Sequence, residues 1–163
     1  MKKVAVLLGS DSDLPIASKA AEVLRALEIP YEMHIYSAHR TPDEARRFAL
    51  EARDRGFGVL IAAAGMAAHL AGALAANTTL PVIGIPCGGG AFSGLDALLS
   101  TVQMPSGIPV ATVAVNGGAN AALLALQMLA VTDETLAEKL KTKREKDAAA
   151  VLQKDEKIYS MFK

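Results

Sequence analysis

Residues 4–13 read Val4-Ala-Val-Leu-Leu-Gly-Ser-Asp-Ser-Asp13, and this stretch sets the pattern that the rest of the chain repeats. Its first five residues are all apolar, as in a strand that is buried on both faces of a parallel sheet. A glycine and four small polar residues follow, and the segment 15–27 then places apolar side chains along one face of a helix. The stretch therefore predicts a strand, a short loop and a helix in succession.

The same alternation continues along the chain. Strands are predicted at 31–35, 59–63, 82–85 and 110–115, and helices from 42 to near 56 and over 66–76, 94–102 and 119–129. Thr41, Pro42 and Glu44 predict a capping box at the start of the second helix. The pattern predicts an α/β fold, a three-layer αβα sandwich around a flavodoxin-like parallel sheet of about five strands. The whole chain, 1–163, is predicted to form one domain.

The distribution of charge predicts how the chain assembles. The segment 133–162 is highly charged and predicts a long terminal helix, whereas between 57 and 131 the only formally charged side chain is Asp96. Helices of a monomer normally expose charged faces to water, so neutral alanine-rich helices indicate that other subunits cover them. We therefore expect a homo-oligomer whose terminal helix packs on a neighbouring subunit.

Composition excludes several classes of partner. Lys and Arg together number 17, as do Asp and Glu, so the neutral chain has no electrostatic reason to bind nucleic acid or an anionic membrane. The uncharged stretch 57–76 has transmembrane length, but its glycines and alanines favour a buried strand, a glycine turn and a helix. Cys87 has no cysteine partner and the amino terminus lacks a signal-peptide pattern, so we expect a cytoplasmic protein.

Ligands of parallel sheets bind outside the carboxyl ends of the strands, which directs attention to the loops 9–14, 36–41 and 64–69. In the first loop, Ser10 and Ser12 offer hydroxyl groups, and the following helix start offers free N–H groups to an anion. Asp13 can accept hydrogen bonds from ribose hydroxyls. The residues alone leave open whether Ser12 and Asp13 bind a ligand or only cap the helix.

The second and third loops carry groups suited to acid–base chemistry. Ser37, His39 and Arg40 follow the second strand, where Arg40 can hold a phosphate in a bidentate fork and His39 can transfer a proton near neutral pH. Gly65 and its small neighbours leave room for a ligand, and His69 is predicted on the first turn of a helix. A solvated loop and a packed histidine are the structural alternatives for these two sites.

Other chemistries lack the residues that they need. The three histidines show no metal-ligand spacing, so no metal is expected, and no lysine lies between Lys19 and Lys139 to form a Schiff base or carry biotin. The first loop matches neither a dinucleotide-binding nor a P-loop motif. Cys87 is interpreted as a small residue in a mobile loop rather than as a nucleophile.

Five segments together resemble a known family, the class I N5-carboxyaminoimidazole ribonucleotide mutases of purine (IMP) biosynthesis. They are Gly9-Ser-Asp-Ser-Asp13, Ser37-Ala-His-Arg-Thr-Pro42, Ala67-Ala-His-Leu70, Gln103-Met-Pro-Ser-Gly-Ile-Pro109 and Asn120-Ala-Ala-Leu-Leu-Ala125. The likeness covers nearly the whole chain in the right order.

The resemblance implies an octamer with active sites between subunits, a ribonucleotide substrate and no cofactor. It implies that His39 is the catalytic acid/base. The substrate-binding residues that it implies are Ser10, Ser12, Asp13, Ser37, Arg40, Gly65 and His69. The implied reaction releases carbon dioxide from the N5 carbamate in a closed pocket and recaptures it at C4, with neither metal nor ATP.

This sequence departs from the family pattern at three places. Met66 stands where the family usually has a second glycine, Ala71 stands where it usually has proline, and the glycine run at 88–90 is unusual. The related class that uses free carbon dioxide typically has lysine at the position of Arg40, so Arg40 favours the mutase. A flavodoxin-like or receiver-like binding module is the alternative outside enzymes. Asp11 and Asp13 partly supply the acidic cluster of a receiver, but no lysine follows the fifth strand, and only Tyr36 lies near a loop where a flavin would need flanking aromatic rings.

Overall fold

The computed structural model describes residues 1–163, and five parallel strands form its centre. These strands are β1 (Lys3–Leu8), β2 (Tyr31–Ile35), β3 (Phe57–Gly65), β4 (Val82–Cys87) and β5 (Ala111–Thr112). Their order in the sheet is β2-β1-β3-β4-β5. The predicted flavodoxin-like parallel sheet is confirmed, because each strand returns to the same edge through a helix.

Helices cover both faces of the sheet. They are α1 (Leu14–Ala26), α2 (Pro42–Glu51), α3 (Leu70–Ala75), α4 (Leu95–Val102), α5 (Gly118–Ala130) and α6 (Glu134–Met161). Alternation along β1 builds both cores: Val4, Val6 and Leu8 pack with α1 and α5, whereas Ala5 and Leu7 pack with α2 and α3. A strand buried on both faces needs apolar residues at every position, which explains the unbroken apolar run of β1.

Several predicted boundaries are wrong. The strand predicted at 110–115 is only two residues long in β5, and α2 ends at Glu51 instead of near Gly56. The predicted helix at 66–76 begins only at Leu70, because Met66 adopts a left-handed φ of 48° and a right-handed helix cannot include that conformation. Apart from this later helix start, the stretch 57–76 forms the predicted strand, turn and helix.

The switch in strand order locates the functional edge. The chain moves outward from β1 to β2 and then returns to β3 on the other side of β1. Leu8 is therefore in register with both Ile35 and Ala63, and Gly65 is in register with Cys87. The loops after β1, β2, β3 and β4 consequently emerge side by side at one edge.

Helix α6 extends away from this body. Asp133 caps its start by accepting a hydrogen bond from the Leu136 N–H at 3.0 Å, and Leu136 is its only buried residue. Every residue from 150 onward is exposed. No helix of the protein combines the length and apolar character needed to cross a membrane.

Candidate functional site

The four strand-end loops surround a cleft of about 630 Å³. All eight sequence-predicted site residues line it: Ser10, Ser12, Asp13, Ser37, His39, Arg40, Gly65 and His69. Arg40 is the one cationic side chain in this lining and Asp13 the one acidic side chain. The cleft therefore offers an attachment point for an anion at Arg40 and a hydrogen-bond acceptor for hydroxyl groups at Asp13.

A larger cleft, of about 1000 Å³, lies at the amino ends of β4 and β5. Its lining includes Arg53 and Asp54 but no histidine. Arg53 already donates a hydrogen bond to the Thr79 hydroxyl at 2.9 Å. We assign function to the smaller cleft, because ligands of parallel sheets bind at the carboxyl ends and the proton-transfer groups lie there.

The first loop is shaped by a capping box. The Asp13 carboxylate accepts a hydrogen bond from the Ser10 N–H at 3.1 Å, and the Ser10 hydroxyl accepts one from the Ser12 N–H at 3.3 Å. Asp13 is 7% exposed, and this burial raises its pKa. Asp13 and Ser10 therefore cap a short 3-10 turn and also line the cleft, whereas no side chain caps the start of α1.

The second loop is held by Ser37 and Thr41. The Ser37 hydroxyl accepts hydrogen bonds from the N–H groups of His39 at 3.3 Å and Arg40 at 3.1 Å. The capping box predicted for Thr41 and Glu44 is wrong. Thr41 makes no side-chain cap, because its hydroxyl accepts from the Ser37 N–H at 2.8 Å and donates to the Ser37 carbonyl. These bonds tighten the loop and leave the side chains of His39 and Arg40 exposed to the cleft.

A histidine pair joins the second and third loops. His39 Nε2 lies 2.8 Å from His69 Nδ1, and the rings meet edge to face with centroids 5.0 Å apart. One nitrogen donates and the other accepts, so a hydrogen bond joins the two imidazoles. His69 is the N-cap of α3 and not on its first turn as predicted, since the helix starts later. Thirty residues separate the two rings, and no sequence pattern indicates their contact.

The loop after β4 forms a wall of the cleft, although none of its residues is among the predicted substrate-binding residues. Cys87 is the buried last residue of β4 and not a mobile-loop residue as predicted. Burial, followed by the negative charge of Asp13, raises the pKa of the Cys87 thiol to about 12, so the thiol is neutral and is no nucleophile near pH 7.

Asn116 fixes the start of this loop. Its side-chain oxygen accepts a hydrogen bond from the Gly88 N–H at 2.8 Å, and its own φ is 60°, a conformation that asparagine tolerates better than most residues. The glycine run at 88–90 was the available sequence signal for this wall, but nothing in the sequence paired it with Asn116. No cluster of three or more metal-ligating side chains forms anywhere in the chain.

Comparison with known proteins gives a consistent result. The family model described as AIR carboxylase matches residues 3–150. The chain is 55% identical over 145 residues to an N5-carboxyaminoimidazole ribonucleotide mutase of Pyrococcus abyssi, covering 89% of this chain and 83% of that one. It is 48% identical to the mutase of Bacillus subtilis, covering 95% of this chain and 97% of the relative.

A solved structure shares the fold as well. The crystal structure of Treponema denticola PurE superposes with a TM-score of 0.84 at 33% identity, covering 94% of this chain and 96% of that chain. The resemblance inferred from the five sequence segments is thereby confirmed. The chain belongs to the AIR carboxylase family.

Proposed function

We propose that this protein is the isomerase that converts N5-carboxyaminoimidazole ribonucleotide to 4-carboxy-5-aminoimidazole ribonucleotide in purine biosynthesis. The observation that carries the proposal is the His39–His69 pair, with its 2.8 Å contact, beside Arg40 in a single cleft. The names of the mutases in Pyrococcus abyssi and Bacillus subtilis support the same activity.

The substrate binds through its ribose phosphate. Arg40 holds the phosphate as a bidentate donor, and the hydroxyls of Ser10 and Ser12 add donors beside it. Asp13 accepts hydrogen bonds from the ribose hydroxyls, and its burial strengthens these hydrogen bonds. Ser37 and Gly65 border the aminoimidazole ring, where a glycine allows close approach of the ligand to the backbone.

His39 moves the protons of the reaction. Protonated His39 donates a proton to N5 as the N5–carboxyl bond breaks, and the electron pair of that bond returns to nitrogen. C4 then attacks the released carbon dioxide, and His39 removes the C4 proton, which restores the aromatic ring. Substrate and product are isomers, and His39 ends in the protonation state in which it began, so the cycle needs no cofactor.

His69 acts as a positioning residue for His39. Its Nδ1 forms a hydrogen bond with Nε2 of His39. This bond fixes the orientation of the His39 ring and determines which of its nitrogens carries the proton. Carbon dioxide is neutral and weakly held, so its retention depends on proximity and on exclusion of water rather than on charge.

We also propose a homo-oligomer, and specifically an octamer. Exposed apolar side chains recur at helical spacing along α4, namely Leu95, Leu99 and Val102, and Phe92 is exposed in the turn just before it. The exposed part of α6 carries a further apolar set: Val151, Leu152, Ile158, Tyr159, Met161 and Phe162. Apolar surface at such spacing packs against another helix, and a second copy is the partner that a neutral surface without a nucleic-acid or membrane signature favours.

One experiment separates the mutase from a carboxylase that uses free carbon dioxide. The protein is supplied without ATP either with N5-carboxyaminoimidazole ribonucleotide or with aminoimidazole ribonucleotide and bicarbonate. We expect efficient turnover only of the first substrate. Efficient turnover of the second mixture contradicts the mutase assignment, and turnover of neither contradicts the enzyme assignment.

A further inference from the structure

Met66 occupies an unusual position at the mouth of the cleft. Its φ of 48° lies in the left-handed region, which glycine adopts without strain and a methionine does not. The side chain is 69% exposed, so it gains little from packing in this conformation. An apolar residue that is both strained and exposed indicates that another state of the molecule uses it.

The residues opposite Met66 are small. Gly65 and Cys87 are paired in register, so the loops that leave β3 and β4 run side by side. A Cβ atom added at Gly90 would lie 3.6 Å from Met66 Cγ, which means that the methionine already reaches the glycine loop across the rim. Gly89 has a φ of 131° and no atom within 4 Å of where a Cβ would stand. The space on that side of Gly89 is therefore open.

Met66 also lies next to the reacting groups. Its carbonyl accepts the Ala68 N–H at 2.9 Å and so forms the turn that presents His69 to His39. The flexible thioether chain of methionine adapts to irregular apolar gaps.

We propose that Met66 is a gate residue, whose side chain closes against the glycines at 88–90 over the bound substrate and keeps the released carbon dioxide beside C4. The inference rests on the proposed mutase function. Closure replaces water at the rim with an apolar contact, which slows both the escape of the neutral gas and the entry of water. The bond changes themselves remain those assigned to His39.

The test measures retention of the carboxyl carbon. N5-carboxyaminoimidazole ribonucleotide labelled with ¹³C in the carboxylate is converted in unlabelled bicarbonate with carbonic anhydrase, so that escaped carbon dioxide loses its label. Label in the 4-carboxy product and release of aminoimidazole ribonucleotide are measured together, after subtraction of the enzyme-free decay. We expect the unmodified protein to retain most of its label.

Three substitutions separate side-chain bulk from backbone strain. Met66→Ala removes the bulk and keeps the strained backbone, Met66→Gly removes both, and Met66→Leu keeps the bulk. We expect Met66→Ala and Met66→Gly to raise the ratio of leaked ribonucleotide to product about tenfold, which corresponds to ~1.4 kcal/mol, while Met66→Leu stays near the unmodified ratio. Met66→Gly alone should raise the thermal unfolding midpoint, because glycine accepts the left-handed φ.

A matched control relieves strain far from the cleft. Glu28, after α1, has a φ of 59°, and Glu28→Gly should leave retention unchanged. Unchanged retention in Met66→Ala overturns the gate, as does complete loss of label in the unmodified protein. If the unmodified protein makes no product at all, the mutase function fails and the gate fails with it.

Discussion

The two sides of the cleft are built differently. The loops after β1 and β2 hold their own shape, since Ser37 and Asp13 accept hydrogen bonds from backbone N–H groups within their loops. The loops after β3 and β4 instead depend on glycines and left-handed residues, and Asn116 holds one end of the glycine run. The groups proposed to hold the phosphate and ribose thus lie on the preorganised side, whereas Met66 and the glycines at 88–90 lie on the deformable side. Such a division suits a reaction that must admit a nucleotide and then retain a gas.

The largest effect should come from the residue that joins the two sides. We expect His39→Asn to reduce turnover by at least about 100-fold, the lower range for loss of a general acid–base group, and to leave nucleotide affinity nearly intact. Steady-state kinetics with titration calorimetry measures both quantities. His34→Asn is the matched control, because His34 contacts Glu32 outside the cleft. Full activity of His39→Asn would remove His39 from the mechanism.

The next test weakens the preorganised side. Arg40→Ala should weaken phosphate-bearing ligands by roughly 1.5–3 kcal/mol, the value of a charged hydrogen bond, because Arg40 is the only cation that lines the cleft. Calorimetric titration with aminoimidazole ribonucleotide provides the affinity. Arg46→Ala, in the exposed part of α2, serves as the control and should bind normally. Equal affinities for these two variants would refute the phosphate role.

A third test loosens the deformable side. Asn116→Gly removes the hydrogen bond to Gly88 and introduces no strain at the φ of 60°. We expect a loss of about 1 kcal/mol in the free energy of unfolding, typical of one hydrogen bond, and a lower kcat with unchanged nucleotide affinity. Denaturant unfolding and kinetics measure these effects. A drop in affinity as large as that of Arg40→Ala would show that the two sides are not separable.

The smallest effect concerns Glu32 in the edge strand β2, whose carboxyl end leads into the preorganised side. The hydrogen bond from Lys3, at 2.7 Å, is the largest of the causes that lower the pKa of Glu32 from 4.5, and Arg55 and His34 add to it. A carboxyl with a lowered folded pKa stabilises the protein above its unfolded pKa, and this contribution is lost as the pH falls through the folded value. Urea midpoints of Glu32→Gln should therefore fall less steeply below pH 4.5 than those of the unmodified protein. Parallel curves would contradict this.

Much of the fold could be read from local patterns. Apolar runs and helical periodicity gave the strands and helices in the right order, and the rule on strand ends placed every predicted site residue in one cleft. The start of α2 at Pro42 is confirmed, but its predicted capping box failed because Thr41 bonds to Ser37 instead. Boundaries failed at the end of α2, at the start of α3 and in β5, which pairs for only two residues. Ala71 causes no such change, since it packs as a buried residue in the first turn of α3, where proline is also compatible.

The sequence by itself determined the αβα class, three of the four loops that surround the cleft and the kinds of group that they carry, because these depend on local periodicity and residue chemistry. Only the tertiary structure decided that His39 meets His69, since their contact requires β2 and β3 to lie on opposite sides of β1 in a fixed register. It also decided the burial of Cys87 and the left-handed turn at Met66. Distances between loops and the solvent around a side chain are properties of the packed sheet, and no local stretch of sequence contains them.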